Sequence, residues 1–529
     1  MMLRDFQKIG IEFAMRNKRV LIADDMGLGK TVQSIEASRR SSPTGPIVVV
    51  CPPSLKYNWQ REIKKWSGEN STIVENDLDF EENEWEWMII PYSKLAQCVQ
   101  RHTTTTVKWN RNETEYRRIK HHSCIVKPGS LLDGLMRDDF THIIVDESHY
   151  IKNKKALRSY ALGKLCENRT HRFFLSGTPV LNKPIDLAFQ LECLGVLGPL
   201  FNGWYGFVAR HCGMQRLSFG GRRILKTDGA SHLNELNEKL LENCMIRRKK
   251  EDVLKELPPL TSSSIELDLS NIKEYTKAHT NFLDWLWHSS YEEFQNLPEE
   301  EIYKDLSKEE IEMINTEYAN NRVRRARSAM AMVKINHLKQ LSAKGKLKAF
   351  KDWAEDVMSQ DQKVIVFAHH LHIQEKIEGM FKDCARLSGK DSVLVRQNNI
   401  DRFQEDPSCK TIVCSMSIGG LGHNITAASI VAIFEFPWTT AEVNQAIARA
   451  HRMGQKRSVN AYYFVGRNTI DIDILKLLAG KEDAIDIILD GKKGNVFNSL
   501  LTSLGDHSVE HNPLRNSRRN TSVSASVAE

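Results

Sequence analysis

The chain has 529 residues, enough for three or four folding units at roughly 150 residues each. Apolar residues make up 41% and charged residues 27%; no apolar run is long enough to cross a membrane, and the start MMLRDFQKIG has no signal-peptide core, so a secreted or membrane-spanning protein is not expected. The net charge of +7 is a mild pointer to a polyanionic partner, and the ten cysteines lack any Cys-x-x-Cys pair or metal-ligand spacing, which reads as the reduced thiols of an intracellular protein.

Short apolar runs alternate with amphipathic stretches in two blocks. The first holds RVLIADD (19–25), PIVVVCPP (46–53), EWMIIPY (86–92), THIIVDESH (141–149) and RFFLSGTP (172–179), with helical segments at 31–40 and 54–66. Near-continuous apolar strands joined by helices predict a doubly wound parallel sheet. Residues 196–340 show no such strand pattern and read as helical insertions, with a linker at LPPL (257–260). The second block holds KVIVFAHH (363–370), KTIVCSMS (410–417), SIVAIFEFPW (429–438) and NAYYFV (460–465), which predicts a second parallel α/β lobe over 341–491. The first lobe is assigned to 1–195. Residues 492–529, poor in aromatics and rich in Ser, Asn and Arg, are expected to be a disordered tail.

Three short motifs carry chemistry. ADDMGLGKT (23–31) follows a strand and opens a helix, the setting of a phosphate loop, but Asp24 stands where the general pattern has glycine. Gly27 and Gly29 let the backbone approach phosphate; Lys30 can reach the β- and γ-phosphates, and Thr31 can hold Mg²⁺. The competing reading is a plain strand-to-helix turn. VDESH (145–149) puts Asp146 and Glu147 at the end of a strand, where Asp146 can bind Mg²⁺ and Glu147 can take a proton from water. An isolated Asp-Glu pair is usually a solvated strand end. QAIARAHRMGQ (445–455) is expected to place Arg449 and Arg452, at i and i+3, on one face of a helix. Such arginines can neutralise a transferring phosphoryl group, or can simply be a solvated basic face.

In this order the motifs resemble the Swi/Snf-like ATPases of helicase superfamily 2, over about residues 3 to 470. In that family an acidic residue replaces the first glycine of the loop, so the resemblance expects Asp24. LRDFQ with Gln7 resembles the adenine-sensing glutamine, CPPSLKYNWQREIKKW motif Ia, LSGTP motif III, and MIRRKKEDVLKELPP the segment leaving the first lobe. GGLGHNITAA (419–428), with Gly420, resembles motif V, and the arginine segment motif VI. The resemblance implies two RecA-like lobes and an ATP site built from Gln7, Asp24, Asp25, Met26, Gly27, Leu28, Gly29, Lys30, Thr31 and Gly420. It implies Mg²⁺ on Thr31 and Asp146, with Lys30, Asp146, Glu147, Arg449 and Arg452 in catalysis. The sequence looks most like the annealing-helicase branch, although PWTT stands where Trp-Asn-Pro is usual and 100–130 reads as an insertion.

Residues 321–350 hold nine Lys or Arg and no Asp or Glu. That stretch, with Arg324, Arg325 and Arg327, reads either as a phosphate track or as a basic helix bracing the lobes. Ser54, Thr178 and the Gly419–Gly422 loop offer short donors suited to phosphates. Trp438 either packs in the core or touches DNA. No base-reading helix is visible, so the expected partner is double-stranded or branched DNA with little sequence specificity. The resulting expectation is a monomeric, ATP- and Mg²⁺-dependent double-stranded DNA translocase, cytoplasmic or, in a eukaryote, nuclear. A strand-separating helicase and a nucleotide-gated DNA clamp are the alternatives.

Overall fold

The computed structural model describes residues 2–75, 86–109, 116–219, 222–282, 284–286, 288, 312, 316, 330–416, 424–494 and 496–504. In chain order the first-lobe strands are β1 (Arg19–Ile22), β2 (Ile47–Cys51), β3 (Ser71–Ile73), β4 (Trp87–Pro91), the hairpin β5 (Val99–Trp109) and β6 (Tyr116–Val126), β7 (His142–Asp146) and β8 (His171–Leu175). A second hairpin, β9 (Gln215–Phe219) and β10 (Arg222–Lys226), and a two-residue strand β11 (Met245–Ile246) follow. The second lobe has β12 (Leu260–Leu267), β13 (Val364–Ala368), β14 (Ala385–Leu387), β15 (Thr411–Ser415), β16 (Ile430–Ile433) and β17 (Val459–Gly466).

Two parallel sheets result. The first runs β11-β1-β8-β7-β2-β4-β3 and the second β12-β17-β16-β13-β15-β14. Both faces of each are covered. IVVVC in β2 and VIVFA in β13 are buried at every position, as parallel strands between two helix layers must be. The two α/β lobes expected from the strand runs are therefore present. None of the ten cysteines forms a disulfide. Among the described residues no helix is long and apolar enough to cross a membrane.

The connecting region departs from expectation. β11 and β12 lie inside 196–340, where the sequence pattern predicts helices. β12 pairs with β17 over eight residues, Leu260↔Val459 to Leu267↔Gly466. It is an edge strand with one neighbour, so its sequence LTSSSIEL can stay polar and shows no apolar run. The expected tail also contains a helix, Val496–Ser503, whose Phe497 and Leu500 are buried in the second lobe's core. Composition averaged over 492–529 hides those eight residues. The 100–130 insertion is the β5–β6 ribbon, paired from Val99↔Val126 to Trp109↔Tyr116.

The helix Ile470–Asp490 joins the lobes. Its Ile474, Leu475 and Leu478 pack in the second lobe's core, while Ile485, Ile488 and Leu489 pack in the first with Leu236 and Leu240. Asn237 Nδ2 donates to Ile488 O across the seam, 2.8 Å. The carboxyl ends of β1 and β7 thus face the second lobe across a short gap.

Candidate nucleotide site between the lobes

β1 ends at Ile22 and the chain turns through 23–29 into the helix Lys30–Arg40. Gly27 and Gly29 sit at φ +86° and +77°, left-handed backbone that side chains other than glycine adopt only under strain. The turn sets the positive end of the helix at the loop, the arrangement that receives an anion. Leu28 anchors the tip in an apolar cluster with Phe6 and Leu254. Lys30 Nζ donates to Asp24 O at 2.8 Å and Asp25 O at 3.2 Å, folded over the loop. Burial pushes its pKa down; the charges of Glu147, Asp24, Asp146 and Asp25 pull it back. Thr31 is half-buried in the first turn.

The structure gives Asp24 a different place from the one expected. It is 0% exposed. Its carboxylate accepts from Gln33 Nε2 at 3.0 Å and Arg248 Nε at 2.9 Å. It is an internal strut of the loop rather than a nucleotide contact. Gln7 is also occupied: its Oε1 accepts from the Arg4 N–H at 3.0 Å and its Nε2 donates to Leu28 O at 3.2 Å. It braces the loop from behind. Asp25 pairs with Arg247 at 2.9 Å and accepts the Lys250 N–H at 3.0 Å. Burial alone would push its carboxyl up, but Arg247 and Lys250 together bring it below the usual range.

β7 delivers Asp146 to the same edge of the sheet. Asp146 Oδ2 accepts from Trp59 Nε1 at 2.8 Å, and Oδ1 from the Glu147 N–H at 3.0 Å. The Tyr92 hydroxyl donates to Asp146 O at 2.9 Å. Glu147 sits at φ +48°, an uncommon conformation for a non-glycine and one that recurs at functional sites. Burial pushes both carboxyls up, and Glu147's charge adds to the push on Asp146. Lys30 and Arg449 draw Glu147 back down. Glu147 Oε2 is buried without a well-formed hydrogen bond. Its polar neighbour His149 Nδ1, 3.3 Å away, belongs to a ring that burial pushes down to about 4 and so keeps neutral at pH 7.

The second lobe supplies the arginines, but not from a helix. The helix Thr440–Ile447 ends first, and the Arg449 and Ala450 N–H groups bond three residues back, to Ala446 O at 3.2 Å and Ile447 O at 3.1 Å. Both arginines therefore lie in a tight turn, fixed from inside by Gln455 Nε2 donating to Ala428 O at 2.9 Å. Arg449 is nearly buried, within electrostatic reach of Glu147, and burial pushes it down to about 10. Arg452 lies against the phosphate loop: a Cβ added to Gly27 would meet Arg452 Cβ at 3.2 Å. Lys30, Glu147 and both arginines, far apart in sequence, share one place, where Arg449 is buried and the other three are half-buried.

The sequence pattern does not single out the individual residues of the segment 247–250. Arg247 pairs through Nε with Asp490 at 3.0 Å and through Nη2 with Asp25, and Lys249 pairs with Asp490 at 3.2 Å. The signal that could have found them is four consecutive basic residues directly after a strand. The segment lines a cleft of about 740 Å³ with Asp25, Met26 and Asp490.

The DNA assignments fare unevenly. Arg324, Arg325 and Arg327 lie outside the described residues, as do Gly420 and its loop. In the described part of the basic stretch, Lys339 Nζ donates to Phe436 O at 2.8 Å, and Lys346 Nζ to Phe434 O, Phe464 O and Asp471 Oδ2, each at 2.8 Å. Those two lysines fasten the helix Met330–Ser359 to the second sheet instead of tracking phosphates. Thr178 is nearly buried and lines the interlobe cleft, not an outer surface. Ser54 is half-buried before the helix Lys56–Ser67. Trp438 packs at the edge of the second core, with Lys339 Nζ 4.6 Å from its ring centroid.

A phosphate loop and a carboxylate pair on one parallel sheet, closed by arginines from a second, define a two-lobed helicase-like ATPase. A model of the SNF2-related domain matches residues 6–346, and one of the helicase conserved C-terminal domain matches 345–454. The chain belongs to the SNF2-related family of DNA-dependent ATPases. Among its relatives is the DNA annealing helicase and endonuclease ZRANB3 of Homo sapiens, 31% identical over 93% of this chain and 41% of that protein. Another is the SWI/SNF-related matrix-associated actin-dependent regulator of chromatin subfamily A-like protein 1 homolog of Caenorhabditis elegans, 26% identical over 91% of this chain and 61% of that protein. The first is named as an annealing helicase, the branch that the sequence resembles. The chain spans about two fifths of the length of the first of these. Among solved structures, the Sulfolobus solfataricus SWI2/SNF2 ATPase core in complex with dsDNA is 20% identical, covers 96% of this chain and 98% of that chain, and has a TM-score of 0.38.

Proposed function

We propose that this chain is the motor of an ATP-driven translocase on double-stranded DNA that remodels or reanneals DNA or displaces bound protein. The observation that carries this is the burial of Arg449 and Arg452 of one lobe against Glu147 and Gly27 of the other. Such a site is complete only when the lobes are shut, so each turnover is tied to a lobe movement. Lys30 and the N–H groups of the loop hold the phosphates. Glu147, whose Oε2 is buried without a well-formed hydrogen bond, takes the proton from the attacking water. Arg449 stands where charge develops on the transferring group.

The residues fit a divalent cation. Each Asp146 oxygen, holding one hydrogen bond, keeps a lone pair, and Thr31 lies in the first turn of the helix that follows the loop. Bound there by Thr31 and Asp146, Mg²⁺ would neutralise charge between the phosphates.

The relative named as a DNA annealing helicase supports a DNA substrate, which we take to be double-stranded or branched. The test is ATPase activity with and without duplex DNA, run beside triplex displacement and strand unwinding. DNA-stimulated ATPase with triplex displacement and no unwinding is expected. Unwinding of a plain duplex would instead make the chain a strand-separating helicase. Binding with negligible turnover would make it a clamp.

A further inference from the structure

Lys250 is not among the residues that hold phosphate, metal or water, yet it touches both halves of the site. Its N–H donates to Asp25 Oδ2 of the phosphate loop at 3.0 Å. Its Nζ donates to His451 O at 2.6 Å, and His451 stands between the two arginines. Its Cε lies 3.9 Å from where a Cβ on Gly27 would be. One residue thus joins the loop of the first lobe to the arginine turn of the second. It does so from a segment held firmly: Arg248 is paired to Asp24, and Arg247 to Asp25 and Asp490. The His451 ring reaches Pro258 O, 2.9 Å away on the same outgoing chain.

The geometry points to Lys250 as a positioning residue for the ATPase reaction: its ammonium pins the Arg449–Arg452 turn over the phosphate loop when the lobes shut. This role rests on the ATPase reading. A lysine left there for packing alone would not need its head group on the carbonyl between two arginines. The groups facing it are Asp25, which favours its charge, and Arg452, Lys30 and Arg449, which oppose it. Burial and those cations bring its pKa down to about 8. The pinning bond is therefore charged at neutral pH and becomes an ordinary amine contact above it, weaker as uncharged donors are.

The experiment uses the full chain with plasmid DNA and Mg-ATP. Steady-state kcat and KM for ATP are measured from pH 6.5 to 9.5 for the parent, Lys250→Met and Lys250→Arg. Losing a charge-assisted hydrogen bond should lower the DNA-stimulated kcat of Lys250→Met by about ten-fold, with KM for ATP changed less than about two-fold. Lys250→Arg should recover much of that loss. Its guanidinium stays charged throughout, so the fall in kcat/KM expected of the parent above about pH 8, the limb that reports the free enzyme, should disappear. A purely structural role would leave that limb in place. If Lys250→Met turns over like the parent, or if KM rises while kcat holds, the pinning role is wrong. It is equally wrong if Lys250→Arg keeps the parent's alkaline limb, and this arm stands even if Lys250→Met fails to fold. The ATPase reading fails separately, on a parent whose turnover DNA does not stimulate or a Lys30→Ala variant that still hydrolyses ATP.

Discussion

Replacing Asp24 tests why a phosphate loop has an acid in place of its first glycine. Asp24→Asn keeps the size and removes the charge. The carboxylate is 0% exposed, and its partner Arg248 retains 13% side-chain exposure, so water cannot take over the lost contact. Removing one member of a buried ion pair costs about 3–5 kcal/mol, because the other charge is left without its partner. Two features soften that here. Arg248 also donates to Gln33 Oε1 at 2.6 Å, and to Phe6 O. The expected loss is therefore about 2–4 kcal/mol for the first lobe. Urea unfolding of the parent, Asp24→Asn, Arg248→Met and the double variant gives the coupling directly. The double variant should lose little more than either single one, a coupling of about 2 kcal/mol. Additive losses, or a stable Asp24→Asn protein whose KM for ATP rises, would show that the acid faces the nucleotide after all.

Lys30→Ala should abolish ATP hydrolysis while leaving the fold intact, since its head group touches only loop carbonyls; retention of more than about half the parent's turnover would remove it from the phosphate site. Glu147→Gln should keep ATP binding and lower turnover by orders of magnitude; loss of binding together with hydrolysis would assign it to metal or structure. Arg449→Ala should remove most of the stimulation by DNA, read as the ratio of rates with and without plasmid, and an unchanged ratio would mean the second lobe does not complete the site. Glu482 is nearly buried, and burial pushes it up to about 7 while it accepts the Phe497 N–H at 3.0 Å. A raised carboxyl stabilises the fold below its unfolded pKa and loses that contribution as pH rises through about 7. Glu482→Gln should therefore gain about 1–2 kcal/mol on the parent at pH 8 and nothing at pH 4.5; an equal effect at both pH values would rule out the buried charge as the cause.

What the sequence disclosed follows from where burial writes a pattern. IVVVC and VIVFA are covered on both faces, so both sheets were visible as apolar runs. LTSSSIEL lies at a sheet edge with one neighbour, and β11 is two residues long, so neither could show one. Gly27, Lys30, Asp146, Glu147, Arg449 and Arg452 could be picked out as candidates because phosphate chemistry would restrict which residue types can stand there. Whether Asp24 faced in or out was not, because its partners Gln33 and Arg248 are nine and 224 residues away. Lys339 and Lys346 misled in the same way. A lysine reaching three buried acceptors and a lysine on a solvated phosphate track have the same letter, and only packing separates them.

The charges in the closed site explain why nucleotide and lobe closure belong together. Lys30, Lys250, Arg449 and Arg452 converge there, and burial depresses the pKa of all four. Burial also pushes Asp146 and Glu147 up, so the carboxyls that should balance those cations are themselves driven toward the neutral form. Both signs bear the desolvation cost of closure, and neither fully compensates the other. Opening the lobes would rehydrate Arg449 and Arg452 and separate them from Lys30. A nucleotide triphosphate entering over Gly27 and Gly29 would bring several negative charges to the point where the four cations meet. It interacts more favourably with the shut arrangement than with the open one, which is the differential affinity a ligand needs to shift a two-state equilibrium. Loss of the γ-phosphate removes charge from that point, and the mutual repulsion of Arg449, Arg452 and Lys250 then favours reopening. On the proposed reading, like charges gathered from two lobes and the 247–250 segment would drive the reopening half of a lobe cycle, and a polyanion among them would favour the shut half.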